Sequence, residues 1–217
     1  MDLGIAGKQA IVCASSKGLG RACAEALARE GVAVTINGRS AETLAATADA
    51  IREATSVAVQ TVVGDIESEQ TRAALVEACP EPDILVNNNG GPPPGRYQDW
   101  DRDAWIGALD SNMIAPALMI RCVLDGMVER RFGRIVNITS AMVKTPLAPM
   151  GLSTGARAGL TALSKGLSRQ VAASSPANSA YRPNSTPTAS QAMMKLLRYS
   201  RLTESVWPTM CCLARPA

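Results

Sequence analysis

Two periodicities alternate through the first 173 residues. Short apolar runs at 9–14, 32–36, 57–63, 83–87 and 134–138 are separated by stretches whose apolar positions recur every three or four residues. The runs are too short for helices and end in turn residues, so they predict buried strands. The spaced stretches predict helices near 18–29, 41–51, 68–78, 102–128 and 153–171. In the first helix Leu19, Cys23, Ala26 and Leu27 share one face, and Gly31 is the expected stop. Strands apolar throughout, alternating with amphipathic helices, predict a parallel sheet covered on both faces. In such a sheet ligands bind beyond the carboxyl ends of the strands, so the residues just after each strand form the candidate site.

Past residue 174 neither periodicity continues. The last 44 residues hold five prolines and seven serines, no glycine, no isoleucine and a single valine, Val206. This composition predicts irregular chain, with at most one short helix near 193–201, and leaves the fifth strand as the sheet edge. The expected organisation is therefore a domain over 1–173 and an aberrant tail over 174–217.

Charge supports the same division. The whole chain carries a net charge of +3, yet residues 1–173 hold 17 basic and 18 acidic side chains and the tail holds 5 and 1. A domain with that balance gives no reason to expect nucleic acid. Histidine is absent, which excludes a Ser-His-Asp triad, a histidine-ligated metal and a histidine base. The six cysteines form no CxxC pair, and Cys13 and Cys23 fall in core-like runs, as reduced thiols would. No basic-then-apolar leader and no uninterrupted apolar run of about 18 residues is present, so the expectation is a cytoplasmic protein without a membrane span. Asp99, Asp101 and Asp103, around Trp100 and Trp105, read as helix capping and packing rather than a metal loop. Arg130, Arg131 and Arg134 read as a solvated helix end.

The turn after the first strand reads Ala14-Ser15-Ser16-Lys17-Gly18-Leu19-Gly20. Small residues there let backbone approach a phosphate, and the following helix offers free N–H groups and the positive end of its dipole. With this turn the chain resembles the short-chain dehydrogenase/reductase family, which carries Thr-Gly-x-x-x-Gly-x-Gly at this place. Ala14 replaces the first glycine. Asp65-Ile66, after the third strand, resembles the pair that holds an adenine ring. Asn87-Asn88-Asn89-Gly90, after the fourth, resembles Asn-Asn-Ala-Gly. Asn112 and Ser140 match the family's site asparagine and serine. The resemblance covers about 5–173 and is closest in flavour to 3-oxoacyl-[acyl-carrier-protein] reductases. It implies a Rossmann-type, doubly wound α/β sheet in the order 3-2-1-4-5, C-terminally incomplete here. It also implies a cofactor held by Ala14, Ser16, Lys17, Gly18, Leu19, Gly20, Arg39, Asp65, Ile66, Asn88 and Gly90. A homo-oligomer and a small carbonyl or acyl-thioester substrate follow by the same resemblance, although loss of the last strands would remove a surface the family commonly uses to assemble.

The segment after the second strand, Asn37-Gly38-Arg39-Ser40, has no carboxylate to accept from a ribose 2′-OH. Arg39, with Lys17, can instead pair with a 2′-phosphate, which favours NADP over NAD. The main departure lies further on. The family's Tyr-x-x-x-Lys falls on Ser153 and Arg157, and no other Tyr-x-x-x-Lys occurs. An alkyl hydroxyl is far less acidic than a phenol, whose reference pKa is about 10. Arg157 remains a permanent cation able to hold ribose hydroxyls, and Lys144 is a second possible proton source. Three functions stay open: slow NADP-dependent hydride transfer, dinucleotide binding without turnover, and a truncated inactive product. A reading-frame shift near 174 would explain the tail. Read one base out of phase, 180–195 permits a peptide with Pro-Ala-Glu-Phe-Asp-Thr-Asp-Arg-Leu, similar to the family's stretch after its sixth strand.

Overall fold

The computed structural model describes residues 2–173 and the backbone of Met210–Ala214. Five parallel strands, β1 (Gln9–Val12), β2 (Ala33–Gly38), β3 (Val59–Val63), β4 (Ile84–Asn87) and β5 (Arg134–Ile138), lie in the order β3-β2-β1-β4-β5. Helices α1 (Gly18–Arg29), α2 (Ala41–Ala54), α3 (Glu69–Ala78), α4 (Arg102–Leu109), α5 (Ala115–Glu129) and α6 (Gly151–Ala173) cover both faces. The strands are apolar throughout because both their faces are buried. Ala10, Val12, Val34, Ile36, Val86 and Val136 pack with Cys23, Leu27, Leu44 and Ile51 of α1 and α2. Ile11, Cys13, Leu85 and Ile135 point the other way, onto Leu75, Met119, Ile120, Val123 and Leu160. Burial pushes the Cys13 and Cys23 thiols up to about 12, so both stay protonated and inert at neutral pH.

Gly31 ends α1 as expected, because its φ of +80° is one that glycine adopts without strain. Ser40 caps α2 by accepting from Thr43 N at 3.3 Å, and Asp101 caps α4 by accepting from Ala104 N at 2.9 Å. The helix expected over 102–128 is interrupted. Between α4 and α5, Asp110–Ile114 forms a π-turn in which Ala115 N donates to Asp110 O, five residues back. Pro116 supplies the reason: it has no N–H to return to Asn112 O, so the ladder must slip there. Together α4, the turn and α5 are long and apolar enough to cross a membrane. Here they are packed against β4, α3 and α6.

Two expectations are corrected. The tail does supply a strand: β6 (Met210–Ala214) pairs antiparallel with β5, Asn137 opposite Cys211, so β5 is not the sheet edge. A short apolar stretch such as 210–214 suffices for an edge strand joined by backbone hydrogen bonds, whatever its periodicity. The helix expected near 193–201 lies outside the described residues. The arginines at the end of α5 are not simply solvated. Arg130 donates to Pro82 O at 2.9 Å, and Lys8 and Arg134 sit 4.2 and 4.7 Å from the centroid of Phe132.

A buried polar chain crosses the second core. Asn87 donates to Pro116 O at 3.3 Å and to Asn137 Oδ1 at 2.8 Å. Asn137 donates to Ser164 Oγ at 2.8 Å, and Ser164 donates to Leu160 O at 2.8 Å. It joins α5, β4, β5 and α6. Asn137→Ala takes one acceptor from the Asn87 amide and the donor from the Ser164 hydroxyl, so it should lower stability by about 2 kcal/mol or more, read by urea denaturation. A change within about 0.5 kcal/mol, the range of an ordinary surface substitution, would show that the chain carries no energy.

Candidate active site

The turn after β1 is tightly constrained. Ala14 adopts φ +44°, a left-handed conformation normally left to glycine. Two asparagines hold it there. Asn37 Oδ1 accepts from Ala14 N at 3.3 Å, and Asn88 Nδ2 donates to Ala14 O at 3.0 Å. Asn37 also donates to Val62 O and Gly64 O, each at 3.0 Å, and its own N–H donates to Ser15 Oγ at 3.0 Å. One buried amide thus ties the ends of β1, β2 and β3. Gly20 follows from the same turn, because a Cβ there would run into the Ala14 carbonyl oxygen. Gly18, at φ +58°, and Gly90 have only open space where a Cβ would stand.

Lys17 is the N-cap of α1 and makes no side-chain capping bond, so the first N–H groups of α1 carry no protein cap. Lys17 is itself exposed. Ser16 lies against Gly38, where a Cβ would be 3.0 Å from its hydroxyl, and Thr47 donates to Ser16 O at 2.9 Å. Leu19 is half-buried against the first core. At the end of β2 Arg39 extends into solvent and pairs with Asp65 at 3.6 Å, an exposed contact worth little energy. Ile66 is buried, its side chain in the second core. Arg72 of α3 donates to Ile66 O at 2.9 Å and Glu67 O at 2.7 Å and so fixes this loop. Burial, with the Asp65 and Asp110 charges, holds the Glu67 carboxyl above the usual carboxylate range.

The second half of the site is built on α6. Its N-terminal glycines stand four apart and admit bulky neighbours. Trp100 packs where a Gly151 Cβ would be, Trp105 lies 3.0 Å from that of Gly155 and Met113 Sδ 2.7 Å from that of Gly159. The ring of Trp100 meets Tyr97 and Trp105 edge-on at 6.5 and 6.0 Å. This seam brings the π-turn, with Asn112, against the helix that carries Ser153 and Arg157. The turn begun by Ser140, whose hydroxyl accepts from Met142 N at 3.2 Å, packs on the same helix. Asn112 is 3% exposed; its Nδ2 donates to Ser111 Oγ at 2.6 Å and its Oδ1 has no partner. Ser153 is 4% exposed. Arg157, 8% exposed, donates to Ile138 O at 2.6 Å and Asn89 O at 3.3 Å, and so clamps the ends of β5 and β4. Burial pushes its pKa down from the ordinary arginine value. Lys144 is exposed on the loop after β5.

The sequence-derived residues therefore gather at one end of the sheet, on its carboxyl side. Asn37, Asn89 and Arg72 were not among them. Asn37 and Asn89 could have been found from their place at strand ends, where unpaired backbone groups need side-chain partners. Arg72 carries no such signal, since it looks like any helix-surface arginine.

The family model for short chain dehydrogenase matches residues 8–194. The uncharacterized oxidoreductase YvaG of Bacillus subtilis is 32% identical over 189 residues, 87% of this chain and 72% of that protein. The 3-oxoacyl-[acyl-carrier-protein] reductase FabG of Vibrio harveyi is 32% identical over 171 residues, 78% of this chain and 70% of that protein. Among solved structures, L-sorbose reductase from Gluconobacter frateurii, complexed with NADPH and L-sorbose, superimposes with a TM-score of 0.75 at 30% identity. That match covers 79% of this chain and 66% of the reductase.

Ala14 gives a direct test of the strained turn. Ala14→Gly should raise stability by about 0.5–1 kcal/mol, the relief of the left-handed alanine less glycine's greater unfolded freedom. Ala14→Val should lower it, and thermal denaturation reads both. A loss of stability in Ala14→Gly would contradict the strain.

Proposed function

The chain belongs to the short-chain dehydrogenase family, and from that premise we propose that it is an NADP-dependent oxidoreductase acting on a small carbonyl or alcohol substrate. The observation that carries this reading is the uncapped start of α1 behind an open glycine turn, with Arg39 at the end of the neighbouring strand. Ala14, Ser16, Lys17, Gly18, Leu19 and Gly20 would hold the pyrophosphate, an anion suited to free N–H groups. Arg39 would turn from Asp65 to a 2′-phosphate, Asp65 and Ile66 would flank the adenine, and Asn88 and Gly90 would bound the nicotinamide side. Bound NADPH would supply the hydride. Asn112 and Ser140 would orient the carbonyl. The substrate does not follow from the family, since relatives as similar as FabG and L-sorbose reductase carry different substrate names.

Ser153 is the weak point of this site. A serine hydroxyl holds its proton too tightly to serve as a phenol would, and general acid–base catalysis contributes roughly 10²–10⁴-fold. Dinucleotide binding without turnover is the second reading. It is favoured by Arg157, whose donors are committed to two backbone carbonyls instead of a neighbouring acid–base group. The near-neutral 1–173 segment supports a small-molecule partner over nucleic acid. Residues 1–173 would form the cofactor domain, and Met210–Ala214 of the tail adds an antiparallel edge strand to its sheet.

The test is NADPH oxidation against a panel of ketones and acyl thioesters. The chain should turn over slowly, and Ser153→Tyr with Arg157→Lys should raise the rate by about 10²-fold or more. An unchanged or lower rate in a folded, NADPH-binding double variant would overturn the role given to this pair. Absence of NADPH binding would overturn both readings.

A further inference from the structure

Arg157 is a buried cation that the described fold leaves uncompensated. It is 8% exposed and makes no ion pair among the described residues. Its two hydrogen bonds go to neutral carbonyls, and its Nε, also buried, has no partner. A buried, unpaired charge costs several kcal/mol, and the common remedy is an anion at hydrogen-bond distance. The surroundings suit one. Gly91 has no side chain on this flank, where a Cβ would lie 3.6 Å from Arg157 Nη2. One helical turn earlier, on the same face of α6, Ser153 offers a buried hydroxyl. A planar guanidinium with forked donors matches a carboxylate in a way that a lysine ammonium does not.

We propose that Arg157, with Ser153 beside it, receives the carboxylate of the substrate, so that the chain takes an oxo acid rather than a neutral ketone. This deepens, and rests on, the oxidoreductase reading. It gives the Tyr-to-Ser and Lys-to-Arg departures one purpose: the pair that would serve proton transfer becomes a pair that binds an anion.

The full chain is titrated at constant ionic strength with 2-oxobutanoate, butanoate and methyl 2-oxobutanoate, following the melting temperature. Saturable stabilisation is expected with the two carboxylates and none with the ester. Arg157→Gln should weaken 2-oxobutanoate binding by about tenfold or more, with part regained in Arg157→Lys. In case Arg157→Gln does not fold, the Arg157 Nε–Hε signal of the unaltered chain is followed by NMR and should shift on adding butanoate. Equal binding of acid and ester, full binding in Arg157→Gln or an unmoved Nε–Hε signal would each overturn the proposal. A parallel NADPH fluorescence titration keeps the two readings apart: its failure counts against the oxidoreductase reading alone, because the carboxylate titrations need no cofactor.

Discussion

Where parallel strands end, their last backbone groups lose their ladder partners, and in this chain buried side-chain amides take over. Asn37 closes β1, β2 and β3, and Asn88 joins the end of β4 to the turn after β1. Asn87 and Asn137 close β4 against β5 and tie both to the helices behind. These bonds lie in a low-dielectric interior, where a satisfied amide stiffens its surroundings and an unsatisfied one is costly. They fix the backbone of the candidate site. The left-handed Ala14 and the bare Gly20 are both consequences of where Asn37 and Asn88 hold the first turn.

The two halves of the site have diverged differently from the family pattern. The half on β1, β2 and β3 keeps small residues, an uncapped helix start and a cation, the parts an anionic dinucleotide needs. The half on α6 keeps the position of its polar pair and changes its chemistry. Arg157 reaches further than a lysine and uses that reach to bridge the ends of β4 and β5. Strand-end architecture and the proposed anion site therefore draw on one side chain.

Much of this was legible in the residues. Five apolar runs predicted five buried strands because a sheet covered on both sides leaves no polar face to signal otherwise, and Gly31 marked its helix end through φ alone. Pro116 held the information that the long helix would slip at Asn112, but a proline early in a strongly apolar run was outweighed by the periodicity around it. The strand Met210–Ala214 was missed because its pairing is antiparallel to an edge and needs backbone groups, not a pattern of side chains. At the candidate site, the residue types with a chemical signature, Arg39, Asp65, Ser140 and the Ser153–Arg157 pair, could be named from the sequence, and the fold brings them to one end of the sheet. Asn37 and Asn89 carry their signal only through their place at strand ends, and Arg72 acts through geometry that only the fold creates.

The central claim is that the strand ends form an NADP platform governed by Arg39. Equilibrium fluorescence titration of the full chain and of Arg39→Asp with NADPH and NADH tests it most directly. The account predicts tighter binding of NADPH than NADH, and a loss of about tenfold or more for NADPH alone on losing the charge-assisted bond to the 2′-phosphate. Equal losses for both dinucleotides, or a preference for NADH in the unaltered chain, would contradict it.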